Sequence, residues 1–330
     1  MYQPETYAMA LVFMLLSMIC WGSWANTMKA AKGFPFQLFY WDYVVGVLLG
    51  SVFWGITLGA LSGGASSFVP DLKQADQVHV LYGLAAGVVF NVANLLLVAA
   101  IEIAGLAVAF PVGIGLALVV GSLLNFLLSP KGSAFLLFGG VALVLLAIIL
   151  DAAAYRMREG GDQRVSQKGI WISIGSGILM GLFYPLVVKA SSGNGSLGPY
   201  AIAFIFALGI AACSVPVNYL LMLKPLTGGP PIRFSEYLTA RSSWHFWGIL
   251  GGAIWCTGTV LNFVASHAQL VGPAVSYSIG QGATMVSAVW GVFVWCEFET
   301  AAAGARRLLA LMFLWFVVGL GLVACAPLFH

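Results

Sequence analysis

Four side-chain amides inside otherwise apolar stretches are the first residues of this sequence that could do chemistry. Asn91 and Asn94 lie three residues apart, so they share one face if their stretch is a helix. Asn262 and Gln281 lie in two later apolar stretches. Because a polar group is costly in hydrocarbon, such residues face a bundle interior or a water-filled cavity. We therefore predict that these amides bind an uncharged polar solute, with hydrogen bonds between helices as the alternative.

Aromatic and hydroxyl side chains accompany these amides. Trp21 and Trp24 lie deep in the first apolar stretch, away from the interfacial position that tryptophan usually takes. Tyr184, Thr259 and Tyr277 lie in three stretches of the second half. These five residues are predicted to form aromatic walls and hydroxyl contacts for a planar or ring-shaped solute. Ordinary helix packing is the alternative.

Two carboxyl groups are predicted to couple the movement of a solute to protons. Asp42 lies about two helical turns inside the second apolar stretch, and Glu102 lies near the end of the third. Carboxyl groups in such positions form proton relays in transporters. The alternative is that both side chains extend to water at the membrane interface.

Several other kinds of chemistry are not supported. The sequence contains no G-x-x-x-x-G-K-[ST] phosphate loop, no G-x-S-x-G nucleophile motif and no histidine spacing typical of a metal site. We expect neither an enzyme nor a cofactor, metal or nucleic-acid partner, and a proton or sodium gradient is the expected energy source. A membrane-embedded enzyme is the alternative class.

The elements that position these residues must be membrane helices. Of the 330 residues, 61% are hydrophobic and only 8% are charged, and the mean hydropathy is +0.98. A soluble domain carries about 25% charged residues, so most of this chain cannot face water. The apolar stretches predict ten spans, at roughly 8–29, 37–60, 80–102, 106–128, 134–151, 170–189, 198–222, 246–268, 273–296 and 307–327.

An internal repeat relates the two halves of the chain. Gly83 and Gly87 recur as Gly248 and Gly252, about 165 residues later. With five spans in each half, the second half must insert upside down relative to the first. The predicted fold is therefore an all-α membrane protein with ten transmembrane helices in a five-plus-five inverted repeat, as in many secondary transporters.

Loop charges predict the orientation of this single membrane transport domain, residues 1–330. Eleven of the fourteen Lys and Arg residues fall in loops on one side, and the other three are Lys73, Lys131 and Lys189. Positive charge favours the cytoplasm, which places both termini outside it in the cell (inner) membrane. Repeat one is then 1–151 and repeat two 170–330, joined by a cytoplasmic loop at 152–169.

Short motifs carry a resemblance to a known family. They include W-G-S-W in the first span, Y-W-D-Y at Tyr40–Tyr43, T-L-G at Thr57–Gly59 and A-G-L at Ala104–Leu106. The sequence resembles the drug/metabolite transporter superfamily and, within it, the ureide permease family, which is related to glucose/ribose uptake porters. The resemblance implies a ten-helix inverted-repeat fold and proton-coupled uptake of heterocycles such as allantoin and uracil. Asp42 falls within its Y-W-D-Y motif.

The sequence thus predicts a secondary active transporter of a small polar solute. Proton-coupled uptake of a ureide- or nucleobase-type heterocycle is the first expectation. Monosaccharide uptake of the glucose or ribose type, and export of drugs or metabolites, are the alternatives. The chain is expected to act as a monomer or homodimer. The sequence leaves the solute, the direction of transport and the coupling ion open.

Overall fold

The computed structural model describes residues 1–61, 67–158, 166–226, 228–268 and 270–329, where all regular structure is helical. The α-helices in these ranges are α1 (Tyr7–Ser23), α2 (Asn26–Ala30), α3 (Phe36–Ile56), α4 (Phe68–Gln74), α5 (Gln77–Ala104), α6 (Leu106–Leu128), α7 (Ala134–Arg158), α8 (Gln167–Ala190), α9 (Pro199–Leu223), α10 (Phe234–Leu238), α11 (Ser242–His267), α12 (Pro273–Gly280), α13 (Ala283–Val289) and α14 (Ala303–Cys325). A π-helical stretch (Trp290–Val294) follows α13, and a 3₁₀ turn (Ala326–Leu328) follows α14.

Nine helical segments in these ranges are long and apolar enough to cross a membrane. The first of them, Tyr7–Ala30, combines α1 and α2. The predicted span 273–296 is wrong as a single helix, because α12, α13 and the π-helical stretch divide it. The chain is therefore a multi-pass helical membrane protein, and the ten-span inverted repeat stays a prediction.

The break between α12 and α13 follows from close packing at two glycines. A Cβ at Gly280 would collide with the ring of Trp21, and one at Gly282 would collide with Met18. Glycine is a poor helix former, and the Gly282 amide donates at 2.9 Å to the carbonyl of Ile279, in a tighter turn than an α-helix makes. The break leaves Gln281 at the end of α12, facing the centre of the protein.

The fifth predicted span, 134–151, is too short. α7 continues to Arg158, so Asp151 lies inside the helix rather than at its end. The predicted loop 152–169 contracts accordingly. Residues 159–165 of it lie outside the described chain, and α8 begins at Gln167.

Close helix crossings repeat between the two halves. Gly46 on α3 and Gly252 on α11 each lie against a backbone carbonyl of the other helix, where a Cβ would collide. Gly209 on α9 and Gly87 on α5 make the corresponding pair. Small residues allow this close approach in lipid, where van der Waals packing drives association. A two-fold relation between the halves would superpose α3 on α9 and α11 on α5, so that the two crossings correspond.

The turns that begin the fourth element of each half also match. Gly105 precedes α6 with φ +78° and ψ 158°, and Gly272 precedes α12 with φ +85° and ψ 154°. Other residues rarely adopt this backbone conformation, because a Cβ would clash. Both turns therefore need glycine, and each delivers the next helix to the centre of the bundle.

Candidate solute-binding cavity

A cavity of about 430 Å³ lies among α1, α5, α6, α8, α11 and the α12–α13 break. Its volume falls within the range of roughly 300–1,000 Å³ typical of small-molecule sites. Ala25, Glu102 and Ser287 line it and are exposed, whereas Trp255 and Gly280 line it and are buried. The cavity therefore runs from an open rim at the C-terminal ends of α1 and α5 to a closed floor near the centre of the protein.

Flat aromatic rings form the walls. Phe90 and Trp255 occupy the same position in the two halves, and their rings stack with centroids 4.6 Å apart at an interplanar angle of 30°. The ring of Trp21 lies nearly parallel to that of Trp255, at 6.3 Å and 18°. Trp24 and Phe183 also line the cavity. These surfaces suit the face of a planar or ring-shaped solute.

Thr259 holds Trp21 in place. The Trp21 indole Nε1 donates to Thr259 Oγ1 at 3.1 Å, and the same hydroxyl donates to the carbonyl of Trp255 at 3.1 Å. Gly258 and Gly280 lie so close to the Trp21 ring that a Cβ at either position would strike it. Thr259 lies outside the cavity lining in this conformation and hydrogen-bonds a tryptophan that forms part of it, so its contact with a solute stays a prediction.

Two predicted amides reach the cavity with free polar atoms. Asn94 is 7% exposed and Gln281 is 9% exposed. The Asn94 Nδ2 donates to the hydroxyl of Tyr40 at 3.3 Å, which leaves its Oδ1 without a protein partner among the described residues. The Gln281 side-chain amide makes no hydrogen bond to any residue that the structure describes. Both groups can therefore bind a solute.

The other two amides lie outside the cavity lining and join helices. Asn91 Oδ1 accepts hydrogen bonds from Tyr40 at 2.8 Å and Ser214 at 3.0 Å, which links α5 to α3 and α9. Asn262 Oδ1 accepts from Tyr184 at 2.6 Å, and its Nδ2 donates to a backbone carbonyl of α12 at 3.0 Å. Both residues are fully buried. In this conformation both amides join helices, the Asn91 Nδ2 has no partner among the described residues, and their contact with a solute stays a prediction.

An aromatic layer separates this cavity from a second one of about 260 Å³ at the other end of the bundle. Phe183 lines the first cavity and the adjacent Tyr184 lines the second. Tyr277 packs against Tyr184 with ring centroids 5.2 Å apart, and its hydroxyl donates to backbone carbonyls of α6 and α8. The first cavity is therefore open at its rim and separated from the second cavity by these rings.

The two predicted coupling carboxyls occupy different environments. Glu102 is exposed at the cavity rim. Asp42 is 2% exposed and lines neither cavity. Its Oδ1 accepts from the Tyr237 hydroxyl at 2.6 Å, and its Oδ2 lies 2.8 Å from His245 Nδ1. Burial and then the hydrogen bond to Asp42 raise the pKa of the Tyr237 hydroxyl, so that it stays protonated and donates to Asp42.

A group of four side chains, here called the rim clamp, joins the end of α2, beside the cavity-lining Met28, to the end of α7 and to the segment after the π-helical stretch. It comprises Lys29, Tyr155, Arg158 and Glu297. Glu297 Oε1 lies 2.6 Å from Lys29, and its Oε2 accepts from Arg158 at 3.1 Å and from Tyr155 at 3.0 Å. Partial burial opposes the charge, but the hydrogen bonds of Lys29 and Tyr155 and the two cations outweigh it and lower the pKa of Glu297. The carboxylate therefore stays charged at neutral pH.

Several residues that line the cavity were not predicted from the sequence. Phe90, Met180 and Trp255 line the cavity but lie in apolar stretches with no local mark of function. The repeat carries a signal for one pair, because the offset that superposes Gly87 on Gly252 also superposes Phe90 on Trp255. Residues at one position of two related halves can meet at the centre of the molecule, as these two do.

Comparison with known proteins identifies the family. The sequence profile of the ureide permease family matches residues 39–168 and 167–326, which together cover most of the chain. The chain belongs to the ureide permease family. Members of this family are membrane transporters, so the chain is a transporter and not an enzyme, as the sequence predicted.

Individual relatives of this permease agree with that assignment. Ureide permease 1 of Arabidopsis thaliana is 24% identical and is covered over 98% of both chains. The "Putative sugar uptake protein lin0215" of Listeria innocua is 25% identical over 74% of this chain and 79% of its own. A solved crystal structure with 15% sequence identity superposes with a TM-score of 0.64, covering 94% of this chain and 95% of that one, which shows a shared fold alone.

Proposed function

We propose that this permease takes up a small neutral heterocycle bearing ureide or cyclic amide groups, and that a proton gradient drives the uptake. The observation that carries the proposal is the combination of flat aromatic walls with two amides, Asn94 and Gln281, that have polar atoms without a partner among the described residues. Such a cavity, apolar with a few convergent polar groups, is the usual form of a small-molecule site.

The chemistry of the solute follows from these groups. A cyclic ureide presents N–H donors and C=O acceptors around a flat ring. The Asn94 Oδ1 can only accept a hydrogen bond, whereas the Gln281 amide can donate and accept. The ring face of the solute stacks on the tryptophans while its edge meets these two amides. Recognition of both ring and edge favours a heterocyclic amide over an apolar compound.

Monosaccharide uptake is the second candidate, because one relative carries the words sugar uptake in its name. A sugar also has an apolar face that aromatic rings can cover, and hydroxyls that amides can bind. A sugar needs more hydrogen-bond partners than a ureide of similar size. Asn94 and Gln281 are the two amides of the cavity lining, and only some of their atoms are free, which supports the heterocycle.

A competition experiment separates these solutes. Purified protein in liposomes is loaded with a labelled heterocycle, and allantoin, uracil, glucose and ribose compete for it. We expect allantoin or uracil to compete and the two sugars to fail. Competition by glucose or ribose alone would reverse the order of the two candidates, and binding of none of the four would remove both.

Proton coupling is tested at Asp42. We propose that Asp42→Asn folds normally and still exchanges solute across a membrane, but no longer accumulates it when a pH gradient is imposed. Glu102→Gln is the matched variant, since Glu102 is an exposed carboxyl at the cavity rim. Undiminished accumulation by Asp42→Asn, with loss in Glu102→Gln, would assign coupling to Glu102. Accumulation driven by sodium instead of protons would refute proton coupling itself.

The orientation completes the proposal. With both termini outside the cytoplasm in the cell (inner) membrane, the cavity rim faces the cytoplasm, and the described conformation is inward-facing. A single chain encloses the whole cavity, which supports a functional monomer. A membrane-impermeant reagent should label a tag at either terminus in intact cells. Labelling only after lysis would reverse the orientation and the side on which the cavity opens.

A further inference from the structure

Asp151 is a carboxyl buried inside α7, and it makes no hydrogen bond or ion pair within the described part of the chain. The other large side chains of the buried face of α7 are Leu137, Val141, Val144, Ile148 and Tyr155. Asp151 is 7% exposed, and its Oδ1 has no hydrogen-bond partner among the described residues. Leaving a charge buried and unpaired is costly, whereas a neutral carboxylic acid is far cheaper to bury. Burial at this site therefore favours the neutral carboxylic acid, with a proton bound to Asp151.

The rim clamp lies one helical turn away. Tyr155 follows Asp151 by four residues on α7, so the two side chains are neighbours on one face. The Tyr155 hydroxyl donates to Glu297 Oε2 at 3.0 Å, so the Glu297 carboxylate reaches the face of α7 that carries Asp151. Two carboxylates in such proximity destabilise each other when both are charged.

Among the described residues, the other charged groups near Asp151 do not relieve this repulsion. Arg158 on the same helix points at Glu297, with Nη1 3.1 Å from Oε2. The residues of α6, which packs against α7, include no charged side chain. α14 also packs against α7, and its two arginines, at 306 and 307, are exposed.

We propose that Asp151 is a proton-binding site whose occupancy sets the strength of the rim clamp. When Asp151 is neutral, Glu297 holds Lys29 and Arg158 without opposition. When Asp151 loses its proton, its charge repels Glu297 and weakens the clamp. The role of this site in transport rests on the proposed function, which it deepens by naming a coupling residue.

The clamp is placed to transmit this change to the cavity. Lys29 follows Met28, a cavity-lining residue at the end of α2, and Glu297 lies beyond α13, which contributes Thr284 and Ser287 to the lining. Loosening the clamp frees the two sides of the rim to move apart or together. Proton release from Asp151 is thereby linked to the geometry of the solute site.

A proton fits this site better than a metal ion. No group of three or more His, Cys, Asp or Glu residues that could hold a metal occurs in the described part of the chain. A hard cation prefers six or more oxygen ligands, which Asp151 and Glu297 cannot supply. A single buried carboxyl needs only one proton to become neutral.

Infrared spectroscopy tests the proton directly. The wild-type protein at neutral pH should show the carbonyl stretch of a protonated carboxylic acid, and Asp151→Asn should lack it. Asp151→Ala serves as a second variant that adds no polar group, and Asp76→Asn, at the start of α5, is the control that keeps the band. A spectrum that neither Asp151 variant changes would overturn the proton site.

Hydrogen–deuterium exchange tests the link to the clamp. The peptide covering 290–299 is followed in the wild type and in Asp151→Asn between about pH 5 and pH 9, and the ratio of the two exchange rates cancels the intrinsic pH effect. We expect the exchange rate of the wild type to equal that of Asp151→Asn at low pH, where Asp151 is neutral. At high pH the wild type should exchange about five-fold or more faster than the variant, which is the lower end of typical coupling between sites. A constant ratio, or one that follows sodium concentration instead of pH, would overturn the coupling. Neither measurement uses a solute, so their outcome is independent of the proposed function.

Discussion

Gln281→Leu should weaken solute binding without lowering the stability of the empty protein. The side-chain amide of Gln281 lines the cavity, is 9% exposed and has no partner among the described residues. An amide that binds only the solute contributes nothing to the empty fold, so leucine should leave the stability unchanged or raise it by up to about 1 kcal/mol. Loss of its hydrogen bonds to the solute should cost about 1–3 kcal/mol, or roughly 5–150-fold in Kd.

Asn262→Leu is the matched control for this prediction. Asn262 is an amide of the same kind, but its Oδ1 accepts from Tyr184 at 2.6 Å and its Nδ2 donates to α12 at 3.0 Å. Its replacement should destabilise the empty protein by about 1–2 kcal/mol, since it also leaves the Tyr184 hydroxyl unpaired.

Two measurements on purified protein decide between the roles of these amides. Thermal unfolding without solute reports the stability of each variant, and calorimetric titration with a heterocycle reports its Kd. Gln281→Leu should keep its Tm and lose affinity. If Gln281→Leu unfolds as early as Asn262→Leu and binds the heterocycle as tightly as the wild type, Gln281 is a packing residue and the proposed recognition is refuted.

Three further variants test other parts of the structure. Gly252→Leu should prevent the α3–α11 crossing, because its side chain would collide with the backbone of α3, and size-exclusion chromatography should show aggregated protein; an intact monodisperse variant would contradict the crossing. Thr259→Val should free the Trp21 ring and weaken solute affinity by about 0.5–1.5 kcal/mol with little change in Tm, measured by the same titration; unchanged affinity would show that the hydrogen bond does not position the ring. The charged Glu297 carboxylate stabilises the wild type above its ordinary pKa of 4.5, and this contribution is lost as the pH falls through the lowered pKa of the folded state. Glu297→Gln lacks the contribution, so plots of stability against pH for the two proteins should converge in acid and diverge above it. Parallel plots at every pH would argue against the clamp.

The fold could be predicted largely because lipid leaves the backbone few options. Apolar stretches of spanning length must be helices, and the repeated glycines at Gly87 and Gly252 do mark matching helix crossings. The interruption after Gly280 could not be predicted from hydropathy, which is high on both sides of it. It depends on a tryptophan from α1 that occupies the space where a Cβ would lie.

The cavity could be predicted only in part for a similar reason. Asn91 and Asn94 share a helix face, and composition alone does not separate them. The Asn91 Oδ1 accepts from Tyr40 and Ser214, which come from two other helices, whereas the Asn94 Oδ1 has no partner among the described residues. Which of two polar residues faces a solute is decided by neighbours that are distant in sequence. Asp151 was missed because the predicted span ended at it.

The stacked pair of Phe90 and Trp255 shows what a fused chain gains over a symmetric dimer. In a dimer of identical five-helix units, the position on the two-fold axis would face its own copy and could hold only one residue type. Joining both units in one polypeptide removes that restriction, and here the two positions carry different rings. The same freedom gives Asn94 and Thr259, which also share a repeat position, different contacts: Asn94 presents a carbonyl to the cavity, and Thr259 accepts a hydrogen bond from an indole. In the predicted inverted repeat, duplication followed by fusion would let an intrinsically symmetric scaffold recognise a solute that has no symmetry of its own.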